Sequence, residues 1–269
     1  MKTIQSKDGT TLAYDVYGSG PALLFITGAT CFRSFEPVLH DAHVFAEHFT
    51  VYNYDRRGRG DSGNTLPYSF EREIEDIEAM IDAAGGSAYL YGHSSGAILA
   101  LEAAMKLGDK VSKLVMYDAS YASDEVDQKQ FNELGQGVNK LLDTGNHNEA
   151  ISLFLEGIGI PKEVIFYTQQ SPQWEDMVAL APTLAYDITL ASDLPPIERA
   201  RQLHVPTLII VGEKNPASLH DVASQLSQVI PHAQCSQLAD QDHMPDPSVL
   251  LPLLNDFLTH NESEIKSET

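Results

Sequence analysis

Five short apolar runs do most to restrict the fold. Residues 22–26, 50–54, 87–91, 113–117 and 207–211 are rich in Leu, Ile, Val and Tyr and show no regular polar alternation. Runs of this length are too short for buried helices and suit strands covered on both faces. Between them lie stretches with apolar residues near helical spacing. Residues 70–84 end at Gly85-Gly86, and the Ala- and Leu-rich residues 95–107 end at Gly108, a common stop for a helix. Strands alternating with helices predict an α/β chain with a mostly parallel sheet flanked by helices. The N-terminus departs from this pattern. Residues 1–6 and 11–17 read as strands around Lys7-Asp8-Gly9, whose Asp-Gly step signals a hairpin.

The interval from Ala119 to His204 holds no convincing buried strand. Its pattern is helical over residues 126–142, 147–155 and 174–190, broken by Gly and Pro. It is too long for an ordinary connection, so residues 119–204 are expected to form an inserted helical lid. The expected core is residues 1–118 and 205–260, with a last strand near 233–238 and a closing helix over 247–259. The polar residues 261–269 are expected to fray.

The formal net charge of −21 repels phosphate backbones, which argues against nucleic acid as a partner and against strongly anionic substrates. No apolar run approaches the roughly 20 residues of a membrane helix, and no apolar signal core follows Met1. A cytoplasmic protein without a membrane partner is expected. Its two cysteines, Cys31 and Cys235, are then expected as free thiols. Oligomeric state has no trace in the sequence.

The run at 87–91 leads into Gly92-His93-Ser94-Ser95-Gly96 and then a helix. This is G-x-S-x-G at a strand-to-helix turn. With Gly and Ser each near 7%, the bare pattern arises by chance about 0.1 times in a chain this long, so the flanking strand and helix carry much of the weight. A sharp turn there strains Ser94 and exposes its hydroxyl. Side chains in place of Gly92 and Gly96 would collide with backbone. The helix that follows points free N–H groups toward developing negative charge. A serine hydroxyl is nearly inert at neutral pH and needs an adjacent base.

With these residues in view, the chain resembles the α/β-hydrolase superfamily over about residues 1–259. The likeness rests on the 92–96 motif, the Asp8-Gly9-Thr10 hairpin, the strand before Thr27-Gly28-Ala29, the loop from Tyr54 to Ser62, the strand ending at Gly212, and a late histidine before a closing helix. The resemblance implies a serine-nucleophile hydrolase fold with a helical lid inserted before the last two strands. Thr27 stands where the family usually has histidine.

The resemblance also implies roles. His243, in the loop after the last strand, takes the place of the base. The acid most often follows the strand at 207–211, but Asn215 stands there and cannot supply a charge. Some members carry the acid after the preceding strand, where this chain has Asp118, at the ligand-binding edge of an open sheet. The catalytic set is therefore expected to be Ser94, His243 and Asp118; the alternatives are Asn215 as a neutral orienter of His243, or Glu213, Asp240 or Asp242 as the acid. Oxyanion donors are expected at the backbone N–H groups of Ala29 and Ser95. His93 reads as a packing or hydrogen-bonding neighbour, and Cys31 as a bystander. Arg33 faces either the pocket or the solvent. The Asp55–Ser62 loop has three arginines but lacks the Lys-Ser or Lys-Thr of a phosphate-binding loop, so it reads as a structural turn. His40 and His43 lack a clear third ligand. No metal or cofactor is implied.

The expected function is hydrolysis of a small ester, thioester, lactone or amide through an acyl-enzyme on Ser94. The same residues also fit carbon–carbon hydrolysis, perhydrolysis or acyl transfer. A third reading is a non-catalytic small-molecule binding protein, motivated by Asn215. Dehalogenase chemistry is disfavoured, because the elbow would then carry aspartate.

Overall fold

A computed structural model describes residues 1–260 of the chain; the tail expected to fray, residues 261–269, lies outside them. The strands are β1 (Lys2–Gln5), β2 (Thr11–Tyr17), β3 (Ala22–Ile26), β4 (Thr50–Tyr54), β5 (Ala88–His93), β6 (Val111–Tyr117), β7 (Thr207–Gly212) and β8 (Gln234–Leu238). They form one sheet in the order β1-β2-β4-β3-β5-β6-β7-β8. The hairpin β1–β2 and the pair β2–β4 are antiparallel, and every other pairing is parallel.

This order places a switch point between β3 and β5. The chain runs outward from β3 to β4 on one side, then crosses to β5 on the other. Open α/β sheets bind ligands at the carboxyl ends of strands flanking such a point. Gly28, Ser94, Asp118, Asn215 and His243 follow β3, β5, β6, β7 and β8 respectively, so all five gather along that edge.

One face of the sheet is covered by α1 (Glu36–Phe45) and α11 (Pro247–Thr259), whose Val38, Ala42, Leu250 and Leu254 pack with Phe25, Val115 and Ile210. The other face carries α2 (Phe70–Ala83), α3 (Ser95–Leu107) and α10 (Ala217–Val229). Helix α3 is inaccessible from Ser95 to Ala104. Its Ala97, Ala100 and Ala103 are small enough to let the helix axis sit close to β5 and β6, as ridge-to-surface packing requires.

Residues 119–204 contain α4 (Glu125–Asp143), α5 (His147–Gly157), α6 (Lys162–Thr168), α7 (Trp174–Ala179), α8 (Leu184–Ala191) and α9 (Ile197–Ala200). Val138, Ile151, Phe154, Trp174, Leu184 and Ile188 form a separate apolar cluster there, and Ala29 of the β3 loop packs against it. The helix expected over 174–190 is in fact two, joined by a 3-10 turn at Ala181–Thr183. Pro182 has no N–H to continue the ladder, which accounts for the break. Among the described residues, no helix is long and apolar enough to cross a membrane.

Candidate active site

The strand β5 extends through Gly92 and His93, and α3 begins at Ser95. Ser94 alone makes the turn, with φ 58° and ψ −125°. Such a backbone is costly for a residue with a side chain and persists only where its surroundings enforce it. Here they do. A Cβ on Gly92 would lie 2.5 Å from the Gly96 carbonyl and 2.6 Å from Ala97 Cα. A Cβ on Gly96 would strike the carbonyl of Ile26 and come 2.7 Å from that of Thr27. The Ser94 amide is fixed by a 2.9 Å bond to the Tyr117 carbonyl.

Gly28 lies directly against the serine. A side chain there would put its Cβ 2.8 Å from Ser94 Cβ and 3.3 Å from Ser94 Oγ, so the β3 loop needs glycine to approach this closely.

His243 and Asp118 meet, with Nδ1 3.0 Å from Oδ2. Asp118 is 2% exposed and has φ 49°. Its carboxylate also accepts from the Gly212 amide at 3.1 Å and from Asn215 Nδ2 at 2.6 Å. Asn215, the alternative neutral orienter of His243, thus donates to Asp118. A carboxylate accepting these bonds requires a proton on His243 Nδ1, which leaves Nε2 as the acceptor.

Ser94 Oγ lies 3.1 Å from Ser120 Oγ. Ser120 has one proton and donates it to the Asp118 carbonyl at 3.0 Å, so Ser94 is the donor between the two hydroxyls. Among the described residues, the Ser94 hydroxyl makes no hydrogen bond to the His243 ring. Transfer to Nε2 requires its hydroxyl to rotate, and catalytic hydrogen bonds commonly close only with substrate present.

His93 holds the histidine loop from the other side. Its Nε2 is 2.7 Å from the His243 carbonyl, which can only accept, so Nε2 carries the proton. The two rings are 4.9 Å apart. Burial pushes the pKa of His93 down to about 3, and the neighbouring His243 adds to the shift. His93 therefore stays neutral. Tyr117 also donates to this loop, at 2.6 Å to the Asp242 carbonyl. Glu213 instead accepts from the Asp240 amide, and Asp242 from the Met244 amide.

The loop after β4 was readable only as a turn; its partners were not. Arg56, Arg57 and Arg59 are buried and paired. Arg56 binds Glu73 and Asp187, Arg57 binds Asp8 and Asp76, and Arg59 binds Asp187. Arg33 faces neither pocket nor solvent. It is buried against Asp15, Asp55 and Asp61, because a guanidinium taken out of water needs carboxylates around it. Cys31 is buried and Cys235 exposed, both free. Burial pushes the Cys31 thiol up to about 11, far from a reactive thiolate.

Behind His93 a pocket is lined by Glu36, His40, Asp41, Tyr91 and Met244. Ser94 does not line it. Burial pushes the Asp41 carboxyl up to about 7, and the like charges of Asp246 and Glu36 add to this. The unfolded chain releases that proton near 4, whereas the folded chain retains it. Unfolding free energy therefore falls as pH rises from about 4 to 7 and stays lowered above that. Asp41→Asn is expected to raise stability at pH 8 by about 2 kcal/mol, allowing for partial solvent contact. At pH 4 it is expected to change little. Urea denaturation at both pH values checks this; equal effects at both would remove Asp41 as the cause.

The model of the Alpha/beta hydrolase family matches residues 23–251. The chain belongs to that family. A 2-(acetamidomethylene)succinate hydrolase of Mesorhizobium japonicum is 28% identical over 255 residues, 90% of this chain and 89% of that protein. A solved alpha/beta hydrolase from Sphaerobacter thermophilus is 38% identical, with a TM-score of 0.85 over 96% of this chain and all of that one. An esterase from Thermogutta terrifontis shares the fold at 20% identity, TM-score 0.70, over 96% of this chain and 98% of its own. The eight-stranded, mostly parallel sheet with helices on both faces is the α/β-hydrolase fold. Relatives of this α/β-hydrolase are hydrolases, which supports a general hydrolase activity for it.

Proposed function

We propose that this α/β-hydrolase cleaves a small, uncharged ester, thioester, lactone or amide through an acyl-enzyme on Ser94. The observation that carries the reading is the hydrogen bond between His243 Nδ1 and the buried Asp118 carboxylate, beside a strained, glycine-flanked serine. His243 Nε2 takes the Ser94 proton as Oγ bonds to the acyl carbon. The carbonyl electron pair moves onto oxygen, next to the N–H groups of Ala29 and Ser95. As that pair returns, the bond to the leaving group breaks, and Nε2 gives it the proton. Water then repeats the steps on the acyl-enzyme, freeing the acid and Ser94. The helices of residues 119–204 act as a lid.

An uncharged substrate fits the local charges. Arg33, Arg56 and Arg59, in the loops beside the elbow, are already paired with carboxylates, so they offer little to an anion. A carboxylate-bearing substrate like that of the Mesorhizobium relative is therefore not the expectation. The receptor reading loses its motive, because Asn215 supports Asp118 instead of standing in for it.

A fluorophosphonate probe tests the proposal. Labelling is expected on Ser94 and lost in Ser94→Ala. A folded parent protein that takes no label at Ser94 would overturn it.

A further inference from the structure

We propose that Arg59 and Asp187 are positioning residues that aim the two backbone oxyanion donors, with Asp187 supplied by the helical insertion; this rests on the acyl-enzyme reading above. The peptide joining Gly28 to Ala29 is planar, so its carbonyl and its N–H point in opposite directions. Arg59 Nη1 donates to the Gly28 carbonyl at 2.5 Å. Holding that carbonyl toward Arg59 turns the Ala29 N–H the other way and fixes its direction. The same loop touches Ser94 at Gly28, so a small rotation of this peptide moves a donor relative to the reacting carbon.

Asp187 holds Arg59 in place and also reaches the second donor residue. Its Oδ2 accepts from Arg59 Nη2 at 2.6 Å, and its Oδ1 from Arg56 Nη1 at 2.8 Å and Ser95 Oγ at 2.7 Å. Arg56 Nη1 also lies 3.2 Å from the Thr27 carbonyl and 3.2 Å from Ser95 Oγ. Arg59, Asp187 and Ser95 are all buried. One carboxylate on α8 is thus bonded to the side chain of the Ser95 donor residue and, through one guanidinium, to the peptide carrying the Ala29 donor. Ala29 itself packs on the apolar cluster of the insertion. Movement of α8 changes the aim of both donors at once, which ties the seating of the insertion to the chemistry over Ser94.

This role differs from that of Asp118, which acts on the base. Losing an oxyanion donor outright costs about 10²–10³ in kcat, so misdirecting one is expected to cost about 10–100-fold. Asp187→Asn keeps the shape and Arg59→Lys keeps the charge. Both are expected to lower kcat on p-nitrophenyl acetate and the rate of fluorophosphonate labelling by about 10–100-fold. KM is expected to stay within about threefold, since ground-state contacts are unchanged. The pH at which activity rises is expected to stay that of the parent, because His243 and Asp118 are untouched. Ser95→Ala removes the hydroxyl's links to Asp187 and to Arg56 and serves if the buried variants fail to fold; it is expected to lower kcat about tenfold. A parent that is not labelled removes the acyl-enzyme reading and the positioning role with it. A labelled parent with folded variants whose kcat and labelling rates match it overturns the positioning role alone, as does a rise in KM that accounts for the whole loss.

Discussion

Asp118→Asn is expected to lower kcat by about 10²–10⁴-fold with KM little changed. The charge is lost, and the tautomer of His243 is put at risk as well. In the parent, Asp118 Oδ1 accepts from the Gly212 amide, and Oδ2 accepts from both Asn215 Nδ2 and His243 Nδ1. The Gly212 N–H can only donate, so an asparagine at 118 turns its one oxygen to it and places its NH₂ at the Oδ2 position, where the Asn215 amide can flip to accept from it. That NH₂ also faces Nδ1, which must become an acceptor. The proton moves to Nε2, where it blocks transfer from Ser94. Asn215→Asp alone brings a second carboxyl to within hydrogen-bond distance of Asp118, since the present contact is 2.6 Å. Two carboxylates that close share one proton at neutral pH, so the net charge facing His243 is unchanged and activity is expected to stay within about tenfold of the parent. The double variant Asp118→Asn/Asn215→Asp moves the charge from the end of β6 to the loop after β7. It is expected to recover at least about tenfold over Asp118→Asn, because a single charge near the imidazole suffices to stabilise its cation. Steady-state kinetics on the three proteins decides the matter. A near-silent Asp118→Asn would transfer the orienting role to another residue.

The exchange also shows where reading the sequence stops. The sheet was readable because each central strand must bury both faces, and that demand writes an apolar run such as 207–211 into the chain. The elbow was readable because its backbone admits only glycine at 92 and 96. Asp118 was within reach because it ends a strand on the ligand edge. Asn215, by contrast, looked like a missing acid. Its hydrogen bond to a residue 97 positions earlier depends on β6 and β7 lying side by side, which no local pattern records. Asp187 was hidden for the same reason. It sits in an apolar helix, α8, and its partners Arg56 and Arg59 lie more than a hundred residues away. A lone acid inside an apolar helix was the available signal. Three arginines in the loop after β4 supplied the other half, and the two needed to be matched by charge. Helix boundaries in the insertion were least readable, as the break at Pro182 shows, because short helices there gain their order from packing on one another.

Arg56→Met is expected to destabilise the fold by about 3–5 kcal/mol, roughly 10 °C in Tm for a chain this long. Burial alone would lower the pKa of Arg56, yet Glu73 and Asp187 raise it well above its ordinary value, so the charge is firmly kept. Glu73 receives both Nε and Nη2 at 2.7 Å and is 1% exposed. Without the arginine it keeps only the Tyr68 hydroxyl at 2.9 Å, far too little to hold a charge out of water. Asp187 suffers less, since Arg59 and Ser95 still donate to it. The loss should therefore be concentrated on Glu73, and Arg56→Met/Glu73→Gln is expected to recover about half of it, because a neutral amide can still accept from Tyr68. Urea denaturation of the parent, both single variants and the double variant gives the coupling. A loss below about 1 kcal/mol in Arg56→Met would mean that water reaches Glu73 after all. Buried ion pairs add little stability over apolar packing yet are expensive to break, so stability alone does not explain this one. Arg56 also reaches the Thr27 carbonyl and Ser95. A double variant that regains stability while kcat stays low would separate the two consequences, leaving the hold on the Thr27 carbonyl and Ser95 as the second contribution of Arg56, beside that of Arg59 at Gly28.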